Sequence, residues 1–323
     1  MAPRVPSLAT AGLFGSVLAV LAAMGQVEGP KGPEIGGEDP HSGGVEGRGS
    51  GTISGQELLR SAIRRLERRR SISAKIRHSI DLFEHKLVGS GNYWEERSHR
   101  GLLFRMELKI QLGDEPSSLL HVCDGRYLWM YRKLAGGESL SRIDVERVER
   151  ALQESGDIQE LAKVDRWPGL GGIPRLLRGL HRAYEFVSVE ETYLEGREGP
   201  LPVLRLEGEW RRAKLAKLLP EQEKAINAGR TADLSKLPAH LPDHVILFLG
   251  KADAFPYRIE YRRRGPHEGE GEDVSRDRAL VTMELSEVNL NATIHPTSFL
   301  YNPGDLECTD QTVPFLKKLG LVP

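Results

Sequence analysis

His240 and His244 are the nearest approach to a metal-ligating pair among the ten histidines of this 323-residue chain. Pro242 stands between them and breaks the helical i, i+4 face such a pair needs, so no metal site is expected. Asp and Glu are abundant, but no two stand out as a general acid–base pair, which leaves a glycosidase reading without support. The sequence has no G-x-S-x-G elbow, P-loop or H-E-x-x-H. Gly169-Leu-Gly171-Gly172 opens an amphipathic helix and superficially suggests a phosphate cradle. It lacks the P-loop lysine and the G-x-G-x-x-G spacing, and it reads better as a loop-to-helix hinge. Cys123 and Cys308 are the only thiols. They are either a disulfide joining the middle of the chain to its C-terminal segment, worth roughly 5 kcal/mol in the chain-entropy model, or two buried free thiols. His78 falls on the dry face of a strand, where a hydrogen-bonded core or cavity residue is the expected role. No cofactor and no catalytic residue are expected from these residues.

The elements that would position them follow from composition and pattern. Apolar residues make up 39% and charged residues 28%, with a formal net charge of −1. That balance fits a soluble globular chain and removes the electrostatic case for nucleic acid, which needs a basic surplus. Arg4 precedes an uncharged run, Val5 to Gln26, whose apolar centre Leu13–Met24 and small residues Ala22, Ala23 and Gly25 read as a signal peptide over residues 1–25. The alternative is a retained N-terminal anchor, because the whole run just spans a bilayer if tilted. Residues 26–55 hold ten Gly and three Pro and are expected to be a disordered linker. Residues 56–323 are then one domain.

Gln56–Arg70 has helical spacing, with Leu59, Ile63 and Leu66 on one face and Arg60, Arg64 and Arg68 on a solvated one. Strict alternation follows. Ile72, Ala74, Ile76, Ile80 and Leu82 share a face, as do Phe104, Met106, Leu108, Ile110 and Leu112. Period two across turn-separated runs means antiparallel strands with one wet and one dry face. Shorter strands are expected around 119–123, 127–132, 139–144, 185–193, 203–209, 245–249, 257–262 and 280–288. Asp144–Tyr184 returns to helical character, with Ile173, Leu176, Leu177 and Leu180 at helical spacing and Pro174 early enough to do no harm. Trp210–Pro242 is a charged, partly helical insertion. The expected class is α+β: a strongly curved antiparallel sheet of about ten or eleven strands, with helices over its apolar concave face.

Several short motifs resemble the outer-membrane lipoprotein-sorting (LolA-like) family and its LppX-like lipid-binding relatives. Arg70-Ser-Ile-Ser-Ala-Lys-Ile76 looks like the first-strand pattern, and a glycine-led strand follows at Gly89–Trp94. Arg100-Gly101 with Phe104-Arg105-Met106 resembles an Arg-Pro pair ahead of Phe-Arg-Trp. Asp124-Gly125-Arg126-Tyr127-Leu128-Trp129-Met130-Tyr131 is the strongest match, and Phe255–Tyr261 looks like a late strand motif. The resemblance implies an unclosed β-barrel with a helical lid and a hydrophobic cavity for acyl chains. It places Phe104, Met106, Leu108, Ile110 and Trp129 as cavity candidates, Leu176, Leu177 and Leu180 on the lid, and Arg100 as the residue that holds the lid shut. Gly169, Gly171 and Gly172 would let the lid move. From pattern alone the same apolar stripes pack as an ordinary solid core.

The implied function is a non-enzymatic, exported carrier or binder of lipid or lipidated protein in the periplasm or cell envelope. A second reading is an envelope sensor or interaction module whose partner is a membrane protein, with the insertion and the basic helix face as its surfaces. A third is an enzyme, for which only scattered His and carboxylates speak.

Overall fold

Ser54 starts the first helix with a capping box: its hydroxyl accepts from the Glu57 N–H at 3.2 Å, and the Glu57 carboxylate accepts from the Ser54 N–H at 3.3 Å. That helix, α1 (Gly55–Glu67), buries Leu59, Ala62, Ile63 and Leu66 and turns Arg60, Arg64 and Arg68 to solvent. The computed structural model describes residues 54–82, 85–99, 101–112, 115–134, 137–155, 172–197, 199–265 and 277–322. The expected signal peptide, nearly all of the linker, Arg100, Gly169 and Gly171 lie outside the described residues.

Six strands follow α1: β1 (Ser71–Leu82), β2 (His85–Ser98), β3 (Gly101–Leu112), β4 (Glu115–Cys123), β5 (Tyr127–Leu134) and β6 (Gly137–Asp144). Among the described residues two helices come next, α2 (Val145–Ser155) and α3 (Gly172–Ala183). The chain then makes β7 (Tyr184–Gly196) and β8 (Gly199–Trp210), the insertion helices α4 (Arg212–Leu218) and α5 (Glu223–Asn227), and β9 (His244–Gly250), β10 (Pro256–Arg263) and β11 (Arg278–Leu290). It closes with β12 (Cys308–Asp310) and α6 (Thr312–Leu319).

All twelve strands join one large, unclosed, curved sheet in the order β12-β6-β5-β4-β3-β2-β1-β11-β10-β9-β8-β7. Every pairing is antiparallel except β12 on β6. The sequence reading of ten or eleven strands missed β12, whose three residues are too few to show a period. The order explains why helices cross the sheet. Chain growth runs outward from β1 to β6 and must then reach β7 at the other end, ten strand spacings away. At about 4.8 Å per spacing that is roughly 50 Å along the sheet, and α2 and α3 are the described elements of that crossing.

The inward face follows the predicted alternation. Ile72, Ala74, Ile76, His78, Ile80 and Leu82 of β1 are all buried, as are Phe104, Leu108 and Ile110 of β3. One continuous apolar cluster joins this face to α1, α2, α3 and α6. β9 is buried on both faces, as its unbroken apolar run requires: Val245, Leu247 and Leu249 enter the main core, while Ile246 and Phe248 meet Val203 on the outer side. The insertion packs its own small cluster from Ala216, Leu219, Ile226 and Leu237. Arg263 of β10 ties it down by donating to the Pro238 carbonyl at 2.6 Å and the Leu237 carbonyl at 2.9 Å. Among the described residues no helix is long and apolar enough to cross a membrane.

Candidate functional site

Helix α3 packs its apolar side into the cluster on the concave face. Its apolar residues recur at helical spacing, so Ile173, Leu177 and Leu180 are buried in the main cluster and Leu176 is half-buried against it. Leu177 has no exposed surface. The helix leans on α1, where Arg178 meets Glu67 at 3.0 Å. Both side chains are partly exposed, so this pair adds little.

The start of α3 is held differently. The Ile173 N–H donates to Glu95 Oε2 at 3.0 Å and approaches Tyr93 Oη at 3.1 Å, and the Tyr93 hydroxyl donates to the same Glu95 oxygen. Glu95 is 2% exposed, Tyr93 4%. Burial pushes the Glu95 carboxyl above the usual range, and burial beside Glu95 pushes the Tyr93 phenol well up, so Tyr93 keeps its proton. Gly172 is required at this point. Its φ of 64° is left-handed, and a Cβ there would run into the Glu95 carboxylate. The sequence reading gave the task of holding α3 to Arg100, which lies outside the described residues. The contacts seen are those of Tyr93 and Glu95.

Tyr93 and Glu95 could have been found from the sequence. On β2 they stand in phase with Gly89, Gly91 and Arg97, so a carboxylate and a guanidinium were due on a dry face. A polar group inside is the informative exception. Strand register then assembles the rest. Met130, His121, Met106 and Tyr93 are direct cross-strand neighbours on β5, β4, β3 and β2. Met106, Met130 and Met283 pack on the core yet keep partial exposure, and their side chains are soft and adaptable. His78 sits opposite Gly89 and Met283. Burial lowers both His78 and His121 to about 4, so both imidazoles are neutral at pH 7.

The other predicted site residues sort as follows. Phe104, Leu108 and Ile110 lie on the concave face within one cluster that includes Leu177 and Leu180. Trp129 does not join them. Its neighbour Leu128 is buried in the main core, and alternation turns Trp129 to the outer face. There it donates to Asp124 at 3.2 Å, stacks near Tyr127 and Tyr301, and lies under the Arg142 guanidinium. Asp124 also accepts from the Arg126 and Tyr127 N–H groups across a turn with Gly125 at φ 94°. The Asp124–Tyr131 motif is therefore a turn and a strand, with no lining role for its tryptophan.

Cys123 and Cys308 are both free. β5 and β6 separate their strands, about 14 Å at three spacings, beyond the reach of a disulfide. The thiol pairing is thus excluded; both thiols are free, Cys123 buried as expected and Cys308 only partly buried. His240 and His244 do not meet a common ligand either: His244 is buried with Nδ1 on Asp243 and Nε2 3.4 Å from Asp277. Among the described residues no group of three or more His, Cys, Asp or Glu is placed to hold a metal. A shallow depression of about 450 Å³ lies on the outer face, lined by Lys75, Arg77, Asn92, Glu107 and Lys109. Its polar walls do not suit hydrocarbon.

No family model and no curated protein matches the chain. Among solved structures it is similar to a DUF1329 family protein from Desulfovibrio piger, at 10% identity over 76% of this chain and 96% of that one, with a TM-score of 0.33. It is also similar to MucB, at 13% identity over 76% of this chain and 62% of MucB, with a TM-score of 0.35. A LolA superfamily protein from Nitrosomonas europaea overlaps at 11% identity, 77% and 99% coverage and a TM-score of 0.24. The last belongs to the superfamily that the sequence motifs resemble. At such scores these likenesses carry no weight for function.

Proposed function

We propose that the chain is an exported, non-enzymatic carrier or binding protein for lipid or lipidated protein, which holds acyl chains between the concave face and α3. One observation carries this reading. The helix over the apolar face is clipped at its start by Glu95 and Tyr93 on Ile173, Ile173, Leu177 and Leu180 hold it by apolar contacts that an acyl chain replaces in kind, and the Arg178–Glu67 pair and the Arg211 bond to the His181 carbonyl lie towards solvent. Magnitudes favour the exchange. Lifting Ile173, Leu177 and Leu180 off the sheet costs about 2–3 kcal/mol each, roughly 7 in all. A sixteen-carbon chain at about 0.8 kcal/mol per methylene brings about 12. The partly buried methionines give the apolar face side chains that can adapt. The N-terminal uncharged run supports export, and the sequence motifs support the lipid class.

The test is direct. Purified full-length protein is extracted for lipid, analysed by native mass spectrometry, and titrated with a fluorescent acyl probe. Co-purifying acyl species and saturable uptake are expected. Protein that carries no acyl species and takes up no probe refutes the proposal.

A further inference from the structure

We propose, building on the acyl-binding reading above, that Arg97 receives the acidic group of the bound lipid, a carboxylate or a phosphate, at the end of the concave face. Arg97 is the third inward residue of the run Tyr93, Glu95, Arg97 on β2. It stands opposite Leu102 of β3, beyond the clip that holds α3. Its backbone N–H donates to the Arg70 carbonyl at 2.8 Å, which places it where β1 begins, at the sheet margin. The side-chain Nε and Nη2 are buried, and among the described residues neither has a hydrogen-bond partner.

The identity of those two atoms matters. Nε–H and one Nη2–H point from the same edge of the guanidinium, and together they form the fork that takes a two-oxygen acid side-on. Other arginines differ. Arg178 and Arg258 each leave Nε without a partner, yet they hold Glu67 and Glu284 through their terminal nitrogens. Glu95 lies near enough to feel the Arg97 charge, but its Oε2 is already committed to Tyr93 and Ile173. A cation with two buried, unmatched donors is costly unless an oxyanion completes it.

The apolar positions continue from this point in one direction. Along β3, Leu102, Phe104, Met106, Leu108 and Ile110 share the inner face over roughly 27 Å at 3.4 Å per residue. An acid at Arg97 therefore leads its tail onto hydrocarbon. Carboxylate and phosphate lipids share this chemistry, and Arg presents the same fork to both.

The full chain, stripped of lipid, is titrated by calorimetry with dodecanoate, methyl dodecanoate, dodecyl phosphate and inorganic phosphate. The acidic lipids are expected to bind about tenfold or more tighter than the ester. Arg97→Gln should erase that preference, and a cooperative urea transition shows the variant to be folded. Arg97→Lys, keeping the charge without the fork, should give an intermediate preference; if Arg97→Gln fails to fold, this variant decides. The ratio of dodecanoate to dodecyl phosphate affinity identifies the headgroup source. Equal affinity for acid and ester in the wild type, or a preference undiminished in both variants, overturns the role of Arg97 and leaves acyl binding standing. Inorganic phosphate binding as tightly as dodecyl phosphate overturns the lipid assignment of the fork. Failure of all three chain-bearing ligands to bind removes the acyl-binding reading, and Arg97's role with it.

Discussion

Acid should unfold this protein through two histidines. His78 and His121 are buried on the concave face, at 5% and 9% exposure, and burial lowers both to about 4 from an ordinary 6.5. Because the unfolded chain binds these protons more readily, stability is fully present above pH 6.5 and is lost as pH falls towards 4. Between pH 7 and pH 5 the linkage amounts to about 2 kcal/mol for each imidazole, about 4 kcal/mol together. Glu95 works in the opposite sense: its raised carboxyl penalises the folded state least at low pH. The comparison must therefore be made between wild type and a variant that retains Glu95. His78→Leu/His121→Leu keeps the volume and removes both titrations. Urea denaturation at pH 7 and pH 5, followed by tryptophan fluorescence, is the assay. At a slope of about 3 kcal/mol per molar, the wild-type midpoint should drop by about 1.3 M more than that of the double variant. Equal drops would mean that neither histidine is buried as a neutral base, and the reasoning would be refuted.

Three further outcomes are expected. Glu95→Ala strips the Ile173 N–H of its acceptor and should cost about 1–3 kcal/mol and speed uptake of a fluorescent acyl probe, whereas Glu95→Gln, which keeps an acceptor, should cost less and flatten the pH response; stopped-flow uptake and denaturation at two pH values separate the two variants. Unreduced, unfolded protein should label at both cysteines, and native protein at Cys308 far faster than at Cys123, whose thiol burial pushes up to about 12; one labelled site or none after unfolding would contradict the free thiols. Trp129→Ala should leave acyl-probe affinity within a factor of two and loosen the segment around Tyr301, read by limited proteolysis; a large loss of affinity would return Trp129 to the ligand face.

Alternation made the sheet legible. β1 and β3 follow their predicted faces, His78 included, because one buried side leaves only one register for the apolar set. Helical spacing found α3, and the turn residues found β4 to β6. Three things were hidden for physical reasons. β12 is too short to carry a period, and its place beside β6 depends on a parallel pairing that no local pattern encodes. The resemblance places Trp129 inward, whereas its neighbour Leu128 occupies the core phase and turns it to the outer face. The clip on α3 joins residues about 80 positions apart, and its one local trace is a carboxylate in phase with Tyr93. Arg97 belongs to the same phase, so the period that located the core also held the polar exceptions.

The sheet's order carries a consequence for how the chain is made. β1 lies near the middle, and its second neighbour is β11, about 200 residues later in the sequence. Until Arg278–Leu290 has been synthesised, β1 presents a bare edge, and the β7–β10 half has nothing to join. Closing so long a loop is an entropic cost met before any reward, which makes this a slow folder with a late, decisive pairing. A chain cut short before β11 would expose two long strand edges at once, an open template for aggregation.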